Sequence, residues 1–199
     1  MMRRLVDRLV ESSVVYALWQ SPFAAQKFAP VALALAHRPA TRVLDVGCGP
    51  GTNARWLADA DYVGVDINHD YLALARSRCK GTFIAADLES DDLSTLGSFD
   101  TILVNSVLHH LSDATAGRVL SQLRMRLAPN GRIHVLELVL PPRPSPAWLM
   151  AKLDRGEYPR EIDHWRALLA EHFTLQEFTP YALGPRLWSM VYFQGGPKA

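Results

Sequence analysis

Cysteine is scarce in this chain: Cys48 and Cys79 are the two in 199 residues, and they form neither a disulfide framework nor a thiolate set at metal-binding spacing. An excess of one charge is missing too. With 21 Lys and Arg against 20 Asp and Glu, the formal net charge is +1, so no broad cationic face for general nucleic-acid binding is expected. No apolar run approaches the ~20 residues needed to span a bilayer, and Met1-Met2-Arg3-Arg4 leads into the broken pattern Leu5, Val6, Leu9, Val10 instead of a signal-peptide core. A cytoplasmic chain without a membrane span is the expectation. Internal repeats are absent, and the one compositional anomaly is the proline cluster Pro141-Pro142-Arg143-Pro144-Ser145-Pro146.

What remains is an ordinary globular composition, 49% hydrophobic and 21% charged. A single domain of this size buries roughly 70% of the surface of its unfolded chain, enough for a core that needs no staples. Residues 1–38 read as a helical extension or lid, with apolar side chains at helical intervals (Leu5, Leu9, Val14, Leu18, then Phe28, Val31, Leu35) and a break at Ser21-Pro22. Trp19, Phe23 and Phe28 in this stretch read as core residues.

From residue 41 the pattern alternates. Strands are expected at Thr41–Val46, Tyr62–Asp66, Thr82–Ala86, Asp100–Asn105 and Arg132–Leu138, and helices at Thr52–Ala60, His69–Arg78, Ala114–Leu127 and Ile162–His172. That order predicts an α/β fold: a Rossmann-like three-layer sandwich around a seven-stranded, mostly parallel sheet. The last two strands, Phe173–Leu183 and Leu187–Phe193, are joined only by Gly184-Pro185-Arg186, too short for a crossover helix, so the final strand is antiparallel. Within one domain, residues 41–140 form the cofactor-binding core, 141–161 an insertion on the substrate side, and 162–199 the closing helix and hairpin.

Gly47-Cys48-Gly49-Pro50-Gly51 ends the first strand, where glycine allows close approach of backbone to a ligand. Asp66 ends the second strand, placed to accept hydrogen bonds from ribose hydroxyls. The spacing Gly-x-Gly-x-Gly differs from the Gly-x-Gly-x-x-Gly of dinucleotide sites, and Asp45 just before it would repel a pyrophosphate, so a cationic nucleoside fits better. Asp87 ends the third strand beside Asp66, either facing an adenine amino group or capping the next segment.

Val43-Leu44-Asp45-Val46-Gly47-Cys48-Gly49-Pro50-Gly51, Val63-Gly64-Val65-Asp66 and Ala86-Asp87-Leu88 resemble successive cofactor motifs of the class I S-adenosylmethionine-dependent methyltransferases. Phe99 to Leu111 and Leu127-Ala128-Pro129-Asn130-Gly131-Arg132 are similar to the fourth-strand motif and following turn of the small-molecule branch. The resemblance implies S-adenosylmethionine as cofactor and S-adenosylhomocysteine as product. It implies Asp45, Gly47, Cys48, Gly49 and Gly51 along the methionine part, Asp66 at the ribose, Ile67, Asp87 and Leu88 around adenine, and the Asn105 backbone at the amino-acid end. Thr52 and Asn53 read as helix starters.

Asn105-Ser106-Val107-Leu108 departs from the Asn/Asp-Pro-Pro-aromatic motif of branches that methylate amide or ring nitrogen in nucleic acids and proteins, which favours O- or C-methylation of a small-molecule partner. For such an acceptor the candidate bases are His109 and His110, with Glu137 to orient one of them. Arg155, Tyr158 and Arg160 are candidate substrate contacts. No third ligand stands beside the histidine pair at a recognisable spacing, so no metal site is expected. The alternatives carried by the same residues are an NAD(P)-dependent oxidoreductase and a cofactor-retaining cyclase or regulatory partner.

Overall fold

The computed structural model describes residues 23–154 and 156–198. The expected helices before residue 23, the break at Ser21-Pro22, Trp19 and the candidate Arg155 lie outside the described residues. Helix α1 (Ala24–His37) leads into β1 (Arg42–Val46), β2 (Asp61–Asp66), α2 (His69–Arg78), β3 (Thr82–Ala85), β4 (Phe99–Asn105), α3 (Asp113–Arg126), β5 (Leu127–Leu138), α4 (Pro146–Leu153), α5 (Ile162–His172), β6 (Phe173–Leu183) and β7 (Trp188–Pro197). The seven strands form one sheet in the order β3-β2-β1-β4-β5-β7-β6. Parallel pairing joins the first five, while β7 runs antiparallel between β5 and β6. This is the expected fold.

Two-residue alternation divides the core between the two faces of the sheet. Leu44, Val46, Ile102, Val104, Ile133 and Val135 pack with Ala116, Val119, Leu120 and Leu123 of α3 and Trp165, Leu168 and Leu169 of α5. Val43, Leu103, Leu136 and Tyr192 face the other way, onto Phe28 and Val31 of α1 and Leu72 and Ala75 of α2. Each fully buried large apolar side chain contributes roughly 1.5–3 kcal/mol, so the two layers hold the strand ends in fixed register. Helix starts are set by side chains that accept otherwise unpaired N–H groups: Asn68 takes Asp70 and Tyr71, Ser112 takes Thr115, and Ser145 takes Trp148 ahead of Pro146.

Three expectations need correction. Thr52–Ala60 is not a helix but a sequence of turns around a short 3₁₀ segment, Ala54–Trp56. Its N–H groups reach back three residues, Trp56 to Asn53 and Leu57 to Ala54, because Gly51 enters the segment with φ near +78° and Asn53 turns its side chain inward. The stretch after the proline cluster contains the helix α4, whose Ala151 packs with Leu138, Leu183 and Met190. Strand β7 also continues past Phe193 to Pro197.

One buried titratable group lies far from the glycine loop. His134 on β5 is held by Tyr192 Oη at 2.8 Å, and burial depresses its pKa to about 4. The unfolded chain takes up this proton near pH 6.5 and the folded chain does not, so the neutral ring favours folding above pH 6.5 and that advantage fades as the pH falls toward 4. Urea unfolding at pH 7.0 and 4.5 should therefore show a wild-type loss that His134→Gln reduces by roughly 2–3 kcal/mol. Identical losses in the two proteins would contradict this.

Candidate functional site

The carboxyl ends of β1, β2, β4 and β5 meet at one edge of the sheet. There a cavity of about 370 Å³ is lined by Gly47, Cys48, Gly49, Pro50, Gly51 and Asn53 of the loop, Lys27 of α1 and Asn105 of β4, with Arg55, Arg78 and Cys79 at its margin. A larger cavity of about 820 Å³ lies at the opposite strand ends, against Asp100, Thr101, Arg132 and His134. Ligands of open α/β sheets sit at the carboxyl edge, which makes the smaller cavity the candidate site.

Gly47 has φ near +68°, and a Cβ there would lie 2.2 Å from Val107 Cγ2, so side-chain bulk is excluded by the turn that follows β4. At Gly49 a Cβ would meet no atom of the described residues within 4 Å. The loop's N–H groups, expected to face a ligand, are used internally instead. Gly47 and Cys48 donate to the Val65 carbonyl at 2.8 and 3.0 Å, and Gly51 to the Cys48 carbonyl at 3.1 Å. Gly49 donates to Asp66 Oδ2 at 2.8 Å, while Asn68 N–H occupies Asp66 Oδ1 at 2.8 Å. Recognition in this loop conformation therefore falls to side chains. The N–H groups of Gly47, Cys48, Gly49 and Gly51 are thus taken, which weakens the dinucleotide alternative.

Asp45, expected to meet the amino-acid end directly, is fully buried one layer beneath the cavity. Burial pushes its pKa up to about 7, even though the Tyr62 hydroxyl and Asn53 Nδ2, at 3.1 Å, both donate to it. Asn53 then accepts from Asn105 Nδ2 at 3.1 Å through its Oδ1. The chain Tyr62, Asp45, Asn53, Asn105 thus links β2, β1 and β4, and Asn105 Oδ1 is left buried without a partner among the described residues. An unpaired buried acceptor costs about 1–3 kcal/mol, and a ligand donor at this position would remove that cost. Burial and the nearby Asp45 and Asp66 push the Cys48 thiol up, so Cys48 serves as a neutral lining residue.

The adenine-side candidates lie away from the cavity. Ile67 is 63% exposed just past β2 and does not line the cavity, Leu88 packs against the main core, and Asp87 caps its own turn by accepting from Glu89 N–H at 2.8 Å and Ser90 Oγ at 3.2 Å. Capping was one of the two readings of Asp87, and it accounts for the side chain here.

A second construction adjoins the first. Glu137, fully buried on β5, accepts from Val107 and Leu108 N–H at 2.9 and 2.7 Å through Oε1 and lies 2.7 Å from His109 Nδ1 through Oε2. Asp154 Oδ1 stands 3.2 Å from His109 Nε2. Burial alone would push the His109 imidazolium down, but Glu137 and Asp154 outweigh it and hold the ring above its ordinary value. The same pairing, with the two backbone donors, keeps Glu137 ionised against its own burial. With both ring nitrogens engaged, His109 cannot take a proton as a general base; it is a positioning residue. His110 is exposed, with its ring 4.3 Å from that of His109.

Arg160 also departs from expectation. Its Nε meets Asp113 Oδ1 at 2.7 Å, Nη1 reaches the Leu108 carbonyl at 2.8 Å and Nη2 the Leu111 carbonyl at 2.7 Å, over the face of Trp165. It clamps the histidine turn through its carbonyls, with its donors committed to Asp113 and the backbone and not to a substrate. Tyr158 is 41% exposed, and its N–H donates to the His109 carbonyl at 3.0 Å.

A glycine-lined cleft with Asp66 beside it, at the carboxyl edge of a β3-β2-β1-β4-β5-β7-β6 sheet, defines a Rossmann-like nucleoside-binding architecture. Residues 43–131 match a family model described as a methyltransferase domain. The chain is 36% identical over 112 residues to a demethylmenaquinone methyltransferase of Beutenbergia cavernae, covering 55% of this chain and 45% of that protein. It is 35% identical over 111 residues to an uncharacterised methyltransferase of Mycobacterium tuberculosis, covering 53% and 55%. The chain spans about half the length, or less, of the curated relatives it matches. In fold it is similar to the magnesium protoporphyrin IX methyltransferase of Synechocystis, with a TM-score of 0.72 at 19% identity over 98% of this chain and 100% of that one. It is similar also to the N-methyltransferase NodS of Bradyrhizobium japonicum, with a TM-score of 0.71 at 18% identity over 87% and 86%. Over residues 43–131 the chain is thus similar in sequence to methyltransferase domains, and in fold it is similar to methyltransferases solved with S-adenosylhomocysteine bound. Among the described residues no helix is long and apolar enough to cross a membrane.

Lys27, Asn53 and Asp154 are the site residues that sequence reasoning missed. Lys27 sits in an apolar helical period and Asp154 in a polar run far along the chain, so neither carries a local signal. Asn53, read as a helix starter, instead bridges Asp45 and Asn105.

Replacing the Arg160 fork tests the clamp. Arg160→Lys keeps the charge but loses the planar donor set, and it should lower stability by roughly 3 kcal/mol, seen as a fall of about 6–12 °C in thermal midpoint. A shift of a degree or less would contradict the clamp.

Proposed function

We propose that the chain transfers the methyl group of S-adenosylmethionine to an oxygen or acidic carbon of a small molecule, releasing S-adenosylhomocysteine. The carrying observation is the pairing of an unpartnered buried acceptor, Asn105 Oδ1, with the buried cation Lys27 in the wall of one cavity. A free α-amino acid end is complementary to both: its ammonium can donate to Asn105 Oδ1 and its carboxylate can face Lys27. Asp66, with lone pairs beyond those used by Gly49 and Asn68, would hold the ribose hydroxyls. The open space at Gly49 leaves room for the sugar and thioether, and Ile67, exposed directly after Asp66, would offer an apolar surface for adenine outside the cavity.

Bound there, the cofactor supplies an activated methyl group on a cationic sulfur. The chain's own contribution is alignment and exclusion of water, since in-line transfer with loss of positive charge needs little acid or base chemistry beyond deprotonation of the acceptor. His110, exposed and with its ring next to that of His109, is the side chain that would take the acceptor's proton. The absence of an Asn/Asp-Pro-Pro-aromatic motif after β4 supports oxygen or carbon over amide nitrogen as the acceptor atom.

Calorimetry with S-adenosylhomocysteine, followed by transfer of labelled methyl groups to hydroxyl and acidic-carbon acceptors, tests the reading; failure to bind either form of the cofactor overturns it. Lys27 adds a pH signature. Burial lowers its pKa to about 8, against the opposing fields of Glu137 and Asp154, so its charged form is lost as the pH rises through 8. Affinity for S-adenosylhomocysteine should therefore fall between pH 7 and 9.5. The ligand's α-amino group titrates in the same range, so Lys27→Met provides the baseline. That variant should bind about tenfold or more weakly at pH 7, and the deficit should shrink toward pH 9.5. Equal affinities at pH 7 would remove Lys27 from the site.

A further inference from the structure

The turn after β4 and the segment after α4 bring together three groups that the sequence leaves apart. His109, His110 and Asp154 each offer a ligand atom, and all three atoms lie within 4.8 Å of one another. We propose that these residues form a binding site for one divalent transition-metal ion of the zinc class, coordinated by His109 Nε2, a ring nitrogen of His110 and a carboxylate oxygen of Asp154.

Four observations carry the assignment. The donor set is two imidazoles and one carboxylate, which suits zinc and related ions and leaves at least one position for water or an acceptor oxygen. Glu137 Oε2 lies 2.7 Å from His109 Nδ1, the carboxylate-to-histidine contact that fixes a metal-binding imidazole with its other nitrogen turned toward the ion. The separations are already close to coordination geometry: tetrahedral ligands at ~2.0–2.1 Å stand about 3.3 Å apart, and His109 Nε2 to Asp154 Oδ1 is 3.2 Å. The backbone around the site is seated to match. Gly156 N–H donates to Asp154 Oδ1 at 3.0 Å, and a Cβ on Gly156 would fall 2.1 Å from His109 Cδ2, so that residue's lack of a side chain lets the segment lie against the ring.

The ion would take the place of the proton between His109 Nε2 and Asp154 Oδ1. Val107, in the same turn, packs on Gly47, which places the cluster beside the cofactor cavity. There the ion can hold an acceptor oxygen and favour its deprotonation to solvent, with His110 as a ligand in place of its role as base. That use rests on the methyl-transfer reading; binding of the ion does not.

The test is a titration of metal-free protein with Zn²⁺ in the presence of a chromophoric chelator, with and without S-adenosylhomocysteine, alongside Co²⁺ absorption. The expected result is one equivalent per chain without added cofactor, Co²⁺ bands of a low-coordinate nitrogen and oxygen site without thiolate charge transfer, and at least tenfold weaker binding in His110→Ala and Asp154→Ala. Both variants should remain folded by circular dichroism; His110 is exposed, so the first does not depend on core packing. No stoichiometric binding overturns the proposal, as does binding unchanged in both variants or a Co²⁺ spectrum dominated by thiolate from Cys48 or Cys79. Cofactor affinity in the same samples separates a failure here from a failure of the methyltransferase reading.

Discussion

The Glu137 carboxylate is the constraint on which the site depends. It is fully buried on β5 and engages three donors from one short turn: Val107 N–H, Leu108 N–H and His109 Nδ1. A buried charge persists only when its lone pairs are met, so this turn cannot move without leaving an ionised carboxylate in an apolar layer. Val107 is in turn the side chain that requires glycine at position 47, while Arg160 secures the carbonyls of Leu108 and Leu111. Through one turn, the position of His109 and the shape of the glycine loop are fixed together.

Electrostatics divide the site in two. Below the cavity lies a neutralised, hydrogen-bonded layer in which Asp45, raised to about 7 by burial, passes its influence through Asn53 to Asn105. Beside it, Glu137, His109 and Asp154 form a charged line, and its two carboxylates keep Lys27 from losing its proton more readily still. The cavity therefore offers an acceptor and a cation at fixed places, an arrangement matched to a zwitterionic ligand. The loop itself offers space more than hydrogen bonds, because its N–H groups are satisfied by Val65, Cys48 and Asp66.

Much of this was legible in the sequence. Two-residue alternation in β1, β4 and β5 and helical spacing in α3 and α5 encode the two core layers, and the short Gly184-Pro185-Arg186 connection forces the antiparallel end of the sheet. The glycine loop, Asp66, Asn105 and Glu137 stand at strand ends, where local pattern and topology agree. Three-dimensional pairing was not legible. Arg160 reads as a substrate contact until Asp113 and two carbonyls are brought to it, and His109 reads as a base until carboxylates from β5 and the segment after α4 occupy both its nitrogens. Thr52–Ala60 has the composition of a helix, but Asn53 is diverted to the strand ends and the segment tightens into turns.

Hydrogen exchange at the Val107 and Leu108 amides measures the central constraint directly. In the native protein both amides should exchange slowly, at rates comparable to the neighbouring β4 strand, and Glu137→Ala should release them while β1 and β2 stay protected. Rapid exchange at both amides in the native protein, or protection unchanged in the variant, would show that the buried carboxylate does not hold the turn.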